Sequence, residues 1–293
     1  MKGGKTEKMA QFQNQATLSY TGGTTASNVA TGEILDVLSV SKNAVYNSYS
    51  KDGTVTYVIG VVNSGATALN AVTVTDNLGE YAYGAVMLYP LTYIDGTLRY
   101  YLNGVLQTTA PTVTAGPPLS IGPFNLPAES NALFVFETRP NAFAPLAAES
   151  EITNEATVNG TGITTAPTAT ETVGVLSAPA LSISKTVSPK TVSENGQINY
   201  TFIIQNSGNV AATAADNVII TDVFDPILGS LSVALDGTAW TRGTEYTYNE
   251  ATGEFASTAG AITVPAATYT QNADGSFTVT PGVATLTVTG TIV

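Results

Sequence analysis

Cysteine and histidine are both absent from this 293-residue chain. Disulfides, thiol nucleophiles, imidazole bases and the usual zinc ligands go with them. Charge is sparse too: 11% of residues are charged, 10 basic against 22 acidic, for a formal net charge of −12. That balance argues against nucleic acid or an anionic membrane surface as a partner. No apolar run is long enough to insert in a bilayer. The basic start, Met1-Lys-Gly-Gly-Lys-Thr-Glu-Lys-Met9, leads into no apolar stretch, and Thr289-Gly-Thr-Ile-Val293 holds no sorting-type motif. Neither a secretory leader nor a wall anchor is expected from these segments. A Gly-rich phosphate loop and an Asp-x-Asp metal cluster are missing as well, so no cofactor, no metal and no reaction on an external substrate is expected.

What remains is rich in Gly, Thr, Val, Ala, Asn and Tyr, and no stretch sustains a helical period. An all-β chain follows, long enough for two domains with their own cores. Its most informative stretch is Phe12-Gln-Asn14-Gln-Ala16-Thr-Leu18-Ser-Tyr20, an alternating strand with one amide set among apolar side chains. Ile152-Thr-Asn154-Glu-Ala156-Thr-Val158 is a near copy, and in both a Thr-Thr-Ala begins ten residues after the Asn, at Thr24 and Thr164. The second copy closes a domain. The first has no domain in front of it to close, which marks it as a strand made for another molecule.

An internal duplication frames the two copies. With Lys42 and Lys185 aligned, a Gly falls eleven residues on (Gly53, Gly196), a Tyr fifteen on (Tyr57, Tyr200) and an Asn-Ser-Gly twenty-one on (Asn63, Asn206). Thr75-Asp76 and Thr221-Asp222 also match, after a three-residue insertion. Turn signals at Asp95-Gly96 and Asn103-Gly104 give a β-meander over 91–107, and a hairpin is expected around Glu250-Ala-Thr-Gly253. Two tandem antiparallel β-sandwiches are therefore expected. The segments are a basic tail over 1–9, a donor strand over 10–22, a linker over 23–33, a complete sandwich over 34–160, a second linker over 161–178 and an acceptor sandwich over 179–293. The second sandwich matches the first up to Val283–Thr289, the counterpart of 131–137, and is expected to want its closing strand.

Period-two reading turns three polar residues of the first sandwich inward: Lys42 after Leu38 and Val40, Asp76 after Val72 and Val74, and Asn154 between Ile152 and Ala156. The second repeats the lysine and the acid as Lys185 and Asp222; its asparagine would be Asn14 of an incoming strand. Outside the head the chain has four lysines, and two of them sit at this one register. Two readings stay open. One is an ion pair capped by an amide hydrogen bond. The other is a self-formed isopeptide bond, because burial favours the neutral forms of an amine and an acid, and Asp76 or Asp222 could then shuttle protons as ammonia leaves the Asn. The bond would join Lys42 to Asn154 within a chain and Lys185 to Asn14 of the next.

The segments Leu181-Ser-Ile-Ser-Lys-Thr-Val-Ser-Pro189, Tyr200-Thr-Phe-Ile-Ile-Gln-Asn-Ser-Gly-Asn209, Asn217-Val-Ile-Ile-Thr-Asp222 and Ile152–Val158 resemble the "domain of unknown function eleven" repeats, Ig-like repeats of bacterial and archaeal surface proteins. The resemblance implies Ig-like sandwiches and a structural surface role, and it is similar in kind to the repeat proteins of clostridial spore appendages, released when the mother cell lyses. The expected function is a self-assembling fibre subunit, polymerising head to tail with itself by donation of Phe12, Ala16, Leu18 and Tyr20. The alternative is an adhesin or carbohydrate-binding module that uses the Tyr-rich hairpin of Tyr93, Tyr100 and Tyr101 as a sugar-stacking face, although cross-strand packing is the expected role of those rings.

Overall fold

The computed structural model describes residues 10–34 and 37–293. The expected tail over 1–9 lies outside them. Among the described residues strands account for nearly all regular structure, and a single 3-10 turn, Ala214–Asp216, interrupts them. Two Ig-like β-sandwiches follow one another, each around its own apolar core.

In domain 1 the first sheet runs Val105–Leu106, Arg99–Leu102, Ser130–Pro140, Val55–Asn63 and Leu38–Ala44, with Leu91–Tyr93 also on Ser130–Pro140. The second runs Val113–Thr114, Leu119–Leu126, Leu69–Asp76, Glu151–Asn159, Thr168–Val175 and Ser48–Tyr49. Alternation drives both: in Val55–Asn63 every second residue from Val55 is buried, and Tyr57, Ile59 and Val61 are fully enclosed. We call Leu38–Ala44 the lysine strand, Leu69–Asp76 the aspartate strand, Glu151–Asn159 the asparagine strand and Thr168–Val175 its return strand.

Domain 2 repeats the five-strand run of the first sheet, without a counterpart of Leu91–Tyr93 among the described residues: Leu181–Ser188 (its lysine strand), Gln197–Asn206, Gly282–Ile292, Leu228–Leu235 and Thr238–Ala239. Its second sheet is shorter, with Tyr246–Tyr248, Glu254–Ser257 and then Thr221–Val223, its aspartate strand, at the edge. The Asn-Ser-Gly match has a physical basis. Asn63 and Asn206 are fully buried, each accepts from the Gly amide two residues on, and each donates across the sandwich, Asn63 to Pro127 O at 2.8 Å and Asn206 to Pro265 O at 3.0 Å. One side chain thereby satisfies a tight turn and pins the two sheets together.

Two expected linkers are strands. Residues 161–178 were to join the domains, but Thr168–Val175 pairs along the asparagine strand from Glu151↔Gly174 to Thr157↔Thr168, so domain 1 extends to Val175. Residues 23–33 likewise fold back on the head: Gly23–Ala26 pairs Thr17–Tyr20 and Ala30–Ile34 pairs Ala10–Asn14, which makes a hairpin of Ala10–Ile34. Both stretches look like linkers because Thr, Ala, Gly and Ser alternate there with few large apolar side chains. Their pairing partners, rather than their own hydrophobicity, make them strands.

The hairpins at Asn103-Gly104 and at 250–253 form as expected, but the full meander over 91–107 does not: Leu91–Tyr93 and Arg99–Leu102 each pair with Ser130–Pro140, one beyond the other along it, rather than with each other. The tyrosines take the cross-strand packing role rather than the sugar-stacking one. Tyr93 and Tyr100 are buried, and Tyr100 stacks on Phe134 with ring centroids 5.1 Å apart. These rings pack across strands inside the core and are not presented for sugar stacking.

Candidate functional site: a buried lysine–aspartate pair and an open strand edge

The lysine strand and the aspartate strand lie in opposite sheets of domain 1, and their inward residues meet. Lys42 Nζ is 2.5 Å from Asp76 Oδ2, and both side chains are closed off from solvent. Burial lowers the Lys42 amine below the ordinary lysine range, with Asp76 opposing the shift in part. Asp76 Oδ1 accepts from the Leu78 amide at 2.9 Å, which holds the carboxylate in place. Lys42 Nζ also sits 4.8 Å from the centroid of the Tyr57 ring.

Asn154 completes the cluster from the asparagine strand. That strand sets Ala156 directly opposite Asp76, so Asn154 faces the same interior two residues along. Its Oδ1 accepts from the Gly79 amide at 3.3 Å, while its Nδ2 is buried with no acceptor. Burial pushes the Tyr57 phenol well above its ordinary range, an effect the neighbouring Asn154 carboxamide offsets in part, although no hydrogen bond of good geometry joins them. An orphaned buried amide costs about 1–3 kcal/mol. Here the orphaned atom is the nitrogen that would depart if the lysine amine displaced it. Lysine amine, acid and carboxamide are thus gathered in a dry interior, with a backbone N–H on the carboxamide oxygen, an arrangement suited to acyl transfer.

Sequence reading named Lys42, Asp76 and Asn154 and placed them correctly on the inner face. It found Tyr57 only as a match between repeats, and it missed the Gly79 amide. Gly79 carries φ +74°, and a Cβ there would lie 2.4 Å from Ile152 Cγ2. A positive-φ turn against a packed strand is what delivers that N–H.

In domain 2, Lys185 pairs with Asp222, and its ammonium lies 4.6 Å from the Tyr200 ring, 5.4 Å from Phe202 and 5.3 Å from Phe224. The pair is the same; its cover is not. The Lys185 side chain is 39% exposed and that of Asp222 19%. Thr221–Val223 pairs on one side with Glu254–Ser257, and its other side is unpaired among the described residues. Leu181 and Ile183, the counterparts of Leu38 and Val40, are exposed, as are Ile219 and Val223. A groove of about 660 Å³ opens against this sheet, lined in part by Asp222, Tyr248 and Phe255.

At the other end of the chain, residues 13–31 of the head hairpin are exposed throughout, including Asn14, Ala16, Leu18 and Tyr20. Leu18 and Tyr20 are each 64% exposed. By backbone register Phe12 lies opposite Gly32 and Asn14 opposite Ala30.

The chain enters domain 1 and leaves it at opposite poles. Leu38 is paired with Asn63 at one pole, while Glu151 and Val175 mark the other, from which the chain passes into domain 2. The strand Val55–Asn63 between those poles spans about 26 Å at ~3.3 Å per residue, whereas the link from Ile34 to Leu38 reaches about 14 Å at most.

No family model and no curated protein matches this chain. Among solved structures, the collagen-binding domain of a Staphylococcus aureus adhesin is similar over 48% of this chain and 98% of its own, at 9% identity and a TM-score of 0.30. The major pilin subunit BcpA of Bacillus cereus is similar over 93% of this chain and 73% of its own, at 12% identity and a TM-score of 0.36. Likeness this slight says nothing of what the present chain binds or builds.

Proposed function

We propose that this chain is a self-assembling structural subunit of an extracellular filament, polymerising head to tail by donation of its N-terminal segment to domain 2 of the next copy. One observation carries the reading: the same Lys–Asp pair occurs twice, closed by an Asn-bearing strand in domain 1 and open in domain 2, while the head bears a near copy of that strand. An unpaired strand edge over an exposed core is a template for strand addition. Burial of Leu18 and its neighbours at ~25 cal/mol per Å² contributes several kcal/mol, to which the ladder hydrogen bonds add. Donor and acceptor are different surfaces, so the contact repeats into a fibre.

The Lys, Asp and Asn groups lock this assembly covalently. The neutral Lys42 amine attacks Cγ of Asn154 and forms a C–N bond. Its proton passes through the Asp76 carboxyl to Nδ2, the Cγ–Nδ2 bond breaks, and ammonia leaves. The Gly79 N–H steadies the oxygen meanwhile. The same displacement between copies joins Lys185 to Asn14, with Asp222 as the shuttle. Each event is a single turnover on the protein itself. On this reading the fibre's setting is the cell or spore surface, a placement that rests on the resemblance to the repeat family.

Removal of residues 1–34 tests the assembly. The shortened chain should stay monomeric and should shorten fibres when mixed with the intact chain. Fibres formed by the shortened chain alone would contradict the donor assignment.

A further inference from the structure

The head hairpin repeats the architecture of the unit that closes domain 1. That unit has two strands, and each has its own task. The asparagine strand adds to the aspartate strand, Ala156 opposite Asp76. The return strand lies across the lysine strand in the other sheet; its Val173 is fully buried and Lys42 beneath is sealed. The head has the same two-strand form with nearly the same spacing: Asn14 pairs with Ala30, 16 residues on, as Asn154 pairs with Glu171, 17 residues on.

Domain 2 is open on both counts. Its aspartate strand has an edge unpaired among the described residues, and its lysine strand is exposed at every position but one, with Lys185 uncovered although it already holds Asp222. A single strand paired to Thr221–Val223 would mend the first defect and leave the second.

We propose that the docking unit is the whole hairpin Ala10–Ile34 of a second copy, seated with Ala16 opposite Asp222 and with Ala30–Ile34 laid across Leu181–Ser188. This rests on the strand-donation reading and names its partner surface: two strands meeting two faces. The composition at the new contact differs from domain 1 in a complementary way. The donor carries the smaller Ala30 and Gly32 where the return strand has Glu171 and Val173, by alignment of the Asn pairs. The acceptor carries Phe202 and Phe224 beside its lysine.

Two synthetic peptides, residues 10–34 and residues 10–22, added in excess to the full chain during assembly, separate the possibilities. The 10–34 peptide should cap growing fibres and protect Lys185 from an amine-acylating reagent, read by peptide mass spectrometry, at least about ten-fold more effectively than 10–22. Equal potency of the two peptides would overturn the hairpin while leaving strand donation intact. Failure of both to cap or protect would overturn strand donation, and the hairpin with it.

Discussion

Ala156 sits directly opposite Asp76 across a strand pair, and the edge on which Asp222 makes the same lysine pair has no residue facing it among the described residues. A duplicated domain that seals one copy of its polar cluster and leaves the other ajar has a direction built into it.

The acid is expected to serve both chemistry and fold. Asp76→Ala should leave Asn154 with its ammonia, seen in the intact mass. It should also destabilise domain 1 by roughly 3–5 kcal/mol, since Lys42 would be buried without its partner. Asp222→Ala should leave domain 1 and its bond unchanged and abolish only the cross-link between copies.

Gly79→Ala should act through the backbone. The new Cβ meets Ile152 at a positive φ, so the turn must shift and carry its N–H away from Asn154 Oδ1. Thermal unfolding should report a loss of about 1–3 kcal/mol, and bond formation after refolding should slow.

The lowered Lys42 amine gives a pH dependence with a definite sign. Refolded chain should close the Lys42–Asn154 bond faster as pH rises, levelling off below the ordinary lysine value of 10.5. In Asn154→Ala, which leaves the amine free, the native state binds fewer protons than the unfolded state between the lowered folded value and 10.5. Stability of that variant should therefore rise with pH across this window, as chemical denaturation at several pH values would show.

The junction within a chain should be stiffer than the junction between chains. A hairpin of domain 2, Thr268–Gln271 with Phe277–Thr280, reaches back to domain 1: Phe277 N–H donates to Ala142 O at 2.8 Å, Tyr83 OH donates to Asn272 O at 2.9 Å, and Tyr269 and Val279 pack against the domain 1 core. Domain 1 has only residues 127–129 at the corresponding place, between Leu119–Leu126 and Ser130–Pro140. Electron microscopy of fibres should find bending concentrated at every second junction; uniform bending would contradict this.

Much of the site was legible because alternation is strict where a strand has one wet and one buried face. Lys42 and Asp76 each follow an apolar pair at period two, Asn154 lies between two apolar residues, and the structure buries all three. The return strands escaped notice because their stability comes from a partner. In Thr168–Val175 only Val173 is fully enclosed, and its counterpart in the head is glycine, so neither stretch announces a core face. Tyr93 and Tyr100 admitted two readings, because a tyrosine's apolar body packs inward while its polar tip reads as surface, and the structure takes the packed one. The Gly79 amide lies beyond side-chain patterns altogether, since the contributing group is backbone.

The central claim is a covalent fibre closed by donated strands, and boiled denaturing electrophoresis of assembled protein, with mass spectrometry of the bands, tests it most directly. The account predicts a ladder of multimers that yields a Lys185–Asn14 cross-linked peptide, and one ammonia lost for each bond formed. A single monomer band of unmodified mass would contradict it.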